Sequence, residues 1–359
     1  MIKRIDLILL GTVLALTVFG LFMIYDASSV IAFRDFSDKY HYIKDQLLWV
    51  LLGSVTLFFF TIFDYKRLYT LALPLLIVAI FLLIAVFIPG IGVYALGAHR
   101  WINLQIFILQ PAEFVKLSLA IYLAAWFSHK EKERLAAFGL LIGTVWLLIM
   151  LQPDMGTASI VLFEALVVYF LSGGSIRHFF YAGPVVFIVG AFFIFLAPYR
   201  LARLTAFLHL GHSLENASYH VKQILIALGS GGIFGVGVGN SLQKYSYLPE
   251  NTTDSIFAII GEELGFFGAT ILLLLFMVIV WRGLTIAGSA RDTFGKLLAG
   301  GIIAFLGIQM VINLGAMTAL FPLTGVPLPF ISYGGSALII DLASIGILLN
   351  ISKQADQRK

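Results

Sequence analysis

The sequence predicts an all-α, polytopic integral membrane protein: about ten transmembrane helices in a single domain, 1–359, with a long extracytoplasmic loop before the eighth helix. Three observations lead there. Of 359 residues, 60% are hydrophobic and only 12% charged, where soluble domains carry about 25% charged residues. The apolar residues gather into runs at 5–25, 46–63, 68–89, 111–127, 135–151, 155–172, 179–197, 256–281, 297–320 and 336–351, each near the ~20 residues that cross a hydrocarbon core. The charges fall mainly between these runs, with the basic ones biased to alternate segments.

The first run follows Lys3 and Arg4 as a signal peptide would. Its apolar stretch exceeds the usual h-region and nine further runs follow, so it reads as an uncleaved helix. With the N-terminus cytoplasmic, the inner segments hold fourteen of the twenty-three Lys and Arg residues, among them Lys66, Arg67, Lys130, Lys132, Arg134, Arg282 and Lys353. The positive-inside bias then places both termini in the cytoplasm. Three sizeable segments lie outside, at about 26–45, 90–110 and 198–255. The last carries an amphipathic stretch, Val221 to Leu228, beside glycines at 229, 231, 232, 235, 237 and 239. A loop of that length is functional or structured, and short helices on the outer membrane surface are expected. No internal repeat supports an inverted-repeat transporter.

Several chemistries are excluded. A net charge of +4 is too thin for nucleic-acid binding, and the absence of cysteine removes disulfides, thiolate nucleophiles and zinc-thiolate sites. There is no phosphate-binding Walker loop, zinc-protease helix or nucleophile elbow. The seven histidines show no metal-ligand spacing, and the glycine cluster lacks the strand and helix of a nucleotide fold.

Polar groups inside the runs are the informative exceptions, because a charge at mid-bilayer costs at least ~2.5–3.5 kcal/mol. Glu113 and Lys116 share a helix face and read either as an internal ion pair or as a substrate-lining pair. Asp154 sits at the break Gln152-Pro153-Asp154, where it caps a helix or lines a site. Glu164 and Asp341 are lone acids. Asp254 stands at the entry to the eighth run, where the helix dipole favours a carboxylate, and Glu262 and Glu263 lie two turns deeper. Between the last two runs, Pro322 to Ser336 holds three prolines and reads as a re-entrant turn.

Six segments together resemble the SEDS family (shape, elongation, division and sporulation), the polytopic peptidoglycan polymerases. They are Gly97-Ala-His-Arg-Trp-Ile-Asn103, Gln110-Pro-Ala-Glu113 with Lys116, Gln152-Pro-Asp-Met-Gly-Thr157, Tyr247-Leu-Pro-Glu250 with Thr253-Asp254, Gly261-Glu-Glu-Leu-Gly265, and Pro329-Phe-Ile-Ser-Tyr-Gly-Gly-Ser336. Within the family the division branch is the better match, through Ala27-Ser-Ser-Val30, Gln46-Leu-Leu-Trp49, Pro198-Tyr-Arg200 and Ala227 to Gly232, with the elongation branch a close relative. Asp26 and Ser255 depart from the family pattern, which has serine and an aromatic there.

The resemblance implies a glycosyltransferase that polymerises lipid II at the outer face of the bacterial cytoplasmic membrane, inverting the anomeric centre and releasing undecaprenyl pyrophosphate. It implies Asp254 as the catalytic base. Substrate-binding duty falls to Arg100, Glu113, Lys116, Asp154, Arg200, Arg203, Lys244, Glu250, Ser332 and Ser336. Arginine forks suit phosphate oxygens. No cofactor is assigned; a divalent cation, Mg or Mn, could share the pyrophosphate with these residues, but no metal-ligand set is assignable from sequence. The implied partners are lipid II, a single-span class B penicillin-binding protein, other divisome proteins and membrane lipid, with the eighth and ninth spans as the docking face. A lipid II flippase, a transporter, is the competing reading, separated by transport of labelled lipid in sealed vesicles. A non-catalytic scaffold is a third, for which Asp254 would be dispensable.

Overall fold

A computed structural model of the protein describes residues 5–95, 97–105, 107–129, 135–209, 218–245 and 247–355. Of the residues that set the orientation, Lys3, Arg4, Lys130, Lys132, Arg134, Arg358 and Lys359 lie outside these. The described chain is mostly helical: α1 (Leu7–Phe36), α2 (His41–Ile62), α3 (Lys66–Ala85), α4 (Pro111–Phe127), α5 (Leu135–Leu151), α6 (Met155–Leu171), α7 (Ile176–Leu196), α8 (Pro198–His209), α9 (Tyr219–Gly231), α10 (Ile256–Ser289), α11 (Thr293–Met317) and α12 (Gly335–Gln354). Seven of these are long and apolar enough to cross a membrane, and α5 and α6 are apolar helices just shorter. Each of the ten apolar runs is a helix, with 111–127 and 135–151 matching α4 and α5 end to end.

The helical architecture expected from the sequence is present, with one small sheet added to it. The segment after α3 folds as a three-stranded antiparallel sheet, β1 (Gly92–Ala95), β2 (Ala98–Asn103) and β3 (Ile108–Leu109), in the order β1-β2-β3. Gly97 takes the turn between β1 and β2 with φ of 77°, a conformation glycine adopts without steric cost. Val93 opposite Trp101 and Gly92 opposite Ile102 set the register, placing β-branched and aromatic side chains where they favour strand pairing.

The first helix also runs further than its apolar stretch, to Phe36, so Asp26 and Ser28 lie on α1 rather than in a loop. Helix α11 is the central post, packing on α4, α6, α10 and α12, while α2 packs on α12 and α3 on α4. One apolar core joins α1, α10, α11 and α12; a second joins α3, α4, α5 and α6. Helix α7 is peripheral and buries none of its residues.

Two sets of polar ties mark the two ends of the bundle. At the end where the first and last described residues lie, Asp6 pairs with Arg282 and its amide donates to Ser352, while Tyr65 bonds Asp292 and its amide donates to the Asn350 side-chain oxygen. At the opposite end lie the sheet, α8, α9 and the turn before α10. The long segment 198–255 contains two short helices, α8 and α9.

Helix α10 is broken at Gly265 (φ 67°, ψ −167°). The glycine-rich segment after α9 fills the break. Val236 and Gly237 amides donate to the Glu262 and Glu263 carbonyls, and the Phe266 and Phe267 amides donate to the Gly232 and Ile233 carbonyls. Four backbone groups that a broken helix leaves without intrahelical partners are thereby bonded. A Cβ on Gly235 would lie 2.0 Å from the Glu263 carbonyl oxygen, and one on Gly265 2.3 Å from the Gly235 nitrogen. The glycines serve backbone contact, not a nucleotide.

Candidate active site

Asp254 lies in a turn, residues 250–255, that is held from four neighbouring elements. Asn251 donates to the Ala27 carbonyl of α1, and Asn313 of α11 donates to the Asp254 carbonyl at 2.8 Å and to that of Val326 at 2.8 Å. From the loop between α11 and α12, the Ser332 hydroxyl donates to the Thr253 carbonyl and the Tyr333 amide to that of Thr252. From α9, His220 meets the Ser255 hydroxyl at 2.7 Å. The backbone under Asp254 is thus fixed by groups far apart in sequence, as a preorganised reacting group requires.

Asp254 is buried, 8% exposed as a residue. Its Oδ1 accepts from the Thr253 hydroxyl at 3.1 Å, and Oδ2 faces Gly325. Burial, and the nearby Glu250 carboxylate, push its pKa up to about 6, partly offset by the Thr253 hydrogen bond and by Arg203. A carboxyl group poised near neutrality is a stronger base than an ordinary exposed one. Arg203, on α8, is exposed, donates to the Leu323 carbonyl at 3.2 Å and borders a half-open cleft of about 160 Å³ lined mostly by apolar side chains, including Phe207, Val221, Phe321 and Leu323. Arg203 thus borders the apolar groove while its charge acts on the buried Asp254, which does not itself line the groove.

The other residues singled out in the sequence are placed as follows. Glu113 and Lys116 form a 2.7 Å ion pair with side chains at most 2% exposed, and Lys116 also donates to Gln309 and lies over the Phe305 ring. Lys116 acts electrostatically on Glu164 and Asp341 as well, so the two lone acids share its field. Asp154 is the N-cap of α6, taking the Thr157 amide at 3.0 Å and hydroxyl at 2.9 Å. Arg100 donates to the carbonyls of Gln152 and Pro153, tying β2 to the α5–α6 break. Arg200 reaches the carbonyls of Met150 and Phe193. Lys244 is held between Asp26 at 3.0 Å and Glu263 at 3.2 Å. Glu250 accepts from Thr253, and Ser336 accepts the Gln110 amide and donates to Ile108. Among the cations weighed for an anionic group, Arg203 combines exposure, the cleft and Asp254.

Sequence reasoning passed over Asn313, Gln309 and His220. The first two were visible as polar residues four apart in an otherwise apolar run, hence on one helix face. His220 carried no such signal, because its partner is 35 residues away. Among the described residues, no group of three or more His, Asp or Glu side chains is arranged to hold a metal ion.

A family model described as "cell cycle protein", spanning FtsW, RodA and SpoVE, matches residues 6–357. The chain belongs to the FtsW/RodA/SpoVE family. This is the SEDS grouping whose motifs the sequence carries. Among FtsW/RodA/SpoVE relatives, stage V sporulation protein E of Bacillus subtilis is 41% identical across 97% of both chains. A probable peptidoglycan glycosyltransferase FtsW of Trichlorobacter lovleyi is 42% identical, across 97% of this chain and 93% of its own. Of solved structures, the rod shape determining protein RodA of Thermus thermophilus matches with a TM-score of 0.73 at 29% identity, covering 99% of this chain and 98% of its own. A chain from a peptidoglycan synthase complex, described as coordinating polymerization and crosslinking, matches with a TM-score of 0.80 at 28% identity over 99% of each. The FtsW/RodA/SpoVE architecture is thus common to the whole length of the protein, the Asp254 turn included.

Proposed function

We propose that this protein is a peptidoglycan glycosyltransferase that polymerises lipid II at the extracytoplasmic face of the cytoplasmic membrane, in septal cell-wall synthesis. The observation that carries the reading is the buried Asp254 carboxylate, held in a fixed turn and within the electrostatic reach of Arg203, which borders the apolar cleft, in a chain whose relatives include proteins named as peptidoglycan glycosyltransferases.

The chemistry asks for little more. A sugar hydroxyl of the acceptor attacks the anomeric carbon of the donor, and the lipid pyrophosphate leaves from the opposite side. Asp254 takes the hydroxyl proton as the bond forms. Arg203 faces the departing phosphate oxygens with a fixed positive charge, and the cleft covers part of the lipid. Asn313, Ser332 and Tyr333 hold the turn still, so that little reorganisation remains at the moment of reaction. A divalent cation at the pyrophosphate would add to the charge that Arg203 supplies.

A membrane-embedded transpeptidase of the class B penicillin-binding type is the proposed partner, in keeping with the solved synthase complex. Its docking face is the lipid-facing side of α10, where Phe266, Phe267, Leu274, Met277 and Trp281 are exposed. The glycines of α11 pack against this chain itself: a Cβ on Gly300 would meet Leu171, one on Gly301 Val168 and Ala120, and one on Gly315 Phe321.

The test is lipid II polymerisation by purified protein, with and without a class B transpeptidase. Wild type is expected to make glycan strands and Asp254→Ala none above background. Polymerisation by Asp254→Ala at the wild-type rate would sink the reading.

A further inference from the structure

His220, the second residue of α9, and Ser255, the residue after Asp254, are the polar groups of this site that the reaction above leaves unused. Among the described residues, their contact is the direct side-chain link between α9 and the Asp254 turn: the ring Nε2 lies 2.7 Å from the Ser255 hydroxyl. Either ring tautomer sustains this contact, the Ser255 hydroxyl donating to a bare Nε2 or accepting from an Nε2–H. One side chain of α9 therefore anchors the end of the turn, at the residue that follows Asp254.

The surroundings keep this bridge in one charge state. Ser255 is fully buried; its amide donates to the Glu250 carbonyl and its own carbonyl accepts the Ala258 amide that begins α10. Burial and the Arg203 charge hold the His220 pKa down to about 4, so at assay pH the ring is neutral and retains its single N–H. A neutral bridge adds no charge beside Asp254.

We propose that His220 is a positioning residue which, through Ser255, holds the turn so that the Asp254 carboxylate stays shielded from water and directed toward Arg203 and the cleft. The proposal rests on Asp254 acting as the base of the proposed polymerase. The sequence difference noted at Ser255 then has a physical meaning: the hydroxyl gives the α9 imidazole something to hold.

The experiment is lipid II polymerisation by the full-length protein with its transpeptidase, comparing His220→Ala, His220→Gln, Ser255→Ala and the double alanine variant, with Asp254→Ala alongside. Misplacing a reacting group by an ångström costs up to about a hundredfold, so His220→Ala is expected to lower kcat by about ten- to a hundredfold with the KM for lipid II unchanged. His220→Gln, which keeps an N–H donor and an acceptor, should recover most of the loss. The double variant should be no slower than either single one, since the two residues form one unit.

The pH profile separates positioning from simple support of the fold. The charged groups acting on Asp254, Glu250 and Arg203, stay in place in these variants, and His220 is neutral, so a shift of the acid limb reports water reaching the carboxylate. In His220→Ala the limb should move from about 6 toward the ordinary carboxylate range, whereas a smaller folded fraction would lower amplitude only. Wild-type rates in both His220→Ala and Ser255→Ala, additive losses, or an unmoved acid limb would each overturn the proposal. Should His220→Ala not fold, His220→Gln and Ser255→Ala carry the same comparison. An active Asp254→Ala protein would instead overturn the assignment of the base.

Discussion

Asp254 holds its proton more tightly in the folded protein than as an exposed carboxylate, and two measurements follow from that. Only the ionised form accepts a proton, so polymerisation at low lipid II is expected to fall as pH drops through about 6; activity undiminished at pH 5 would put the base elsewhere. For stability the sign is opposite. A raised carboxyl pKa favours the folded state most below the ordinary value of 3.8, and this contribution is lost as pH rises through about 6. Asp254→Asn, neutral and of the same shape, is therefore expected to melt higher than wild type at pH 8, by an amount on the order of 3 kcal/mol in stability, with the gain vanishing toward pH 4. Thermal denaturation in detergent at both pH values checks it. Lys244 offers the converse case. Lys244→Met leaves Asp26 and Glu263 facing each other without their shared cation, and breaking a buried pair from one side costs about 3–5 kcal/mol. A melting temperature equal to wild type would show that the three groups do not act together.

At the level of elements, the break in α10 has the largest consequences. Residues 266–289 extend about 36 Å at 1.5 Å per residue, enough to cross the hydrocarbon core alone, so the buried stub 256–264 is free to serve the site. The stub begins at the Asp254 turn and ends at the break, where the glycine-rich segment bonds it on both sides. Gly265→Ala would force a Cβ into the Gly235 backbone at a φ of 67°. Strain and overlap of that kind cost about 1–3 kcal/mol or more, and the variant should melt lower and lose polymerisation, whereas Gly288→Ala, where a Cβ meets nothing within 4 Å, should do neither. Both outcomes are read by melting and by the lipid II assay.

For the whole molecule, the membrane architecture was the most legible part of the sequence, because crossing a bilayer demands long apolar runs that no other constraint mimics. Pro111 and the Gln152-Pro153 break punctuated the runs sharply, and the helices on either side follow them. The sheet at 92–109 was not legible, since strands of two to six residues are too short to show a period. Asp254 was marked by its place at a helix entry and by the family motif. The partners of the basic residues were not, because Lys244 meets Asp26 across 218 positions and Arg203 meets Leu323 across 120. Orientation is directly testable, as the chain contains no cysteine. In intact cells a membrane-impermeant maleimide is expected to label Lys39→Cys, at the Asp254 end of the bundle, and to spare Lys66→Cys, at the opposite end. The reverse pattern would invert the topology.

The filled break in α10 also bears on how this protein can change its length. Surface connections usually accept insertions and deletions freely, and the stretch 231–239, rich in glycine and joining two helices, has the composition of such a connection. Yet its amides and carbonyls at 232, 233, 236 and 237 are each matched to one group of α10. Adding or removing a single residue there would slide every match by one place, so the segment that most resembles a spacer is among those least able to vary in number of residues.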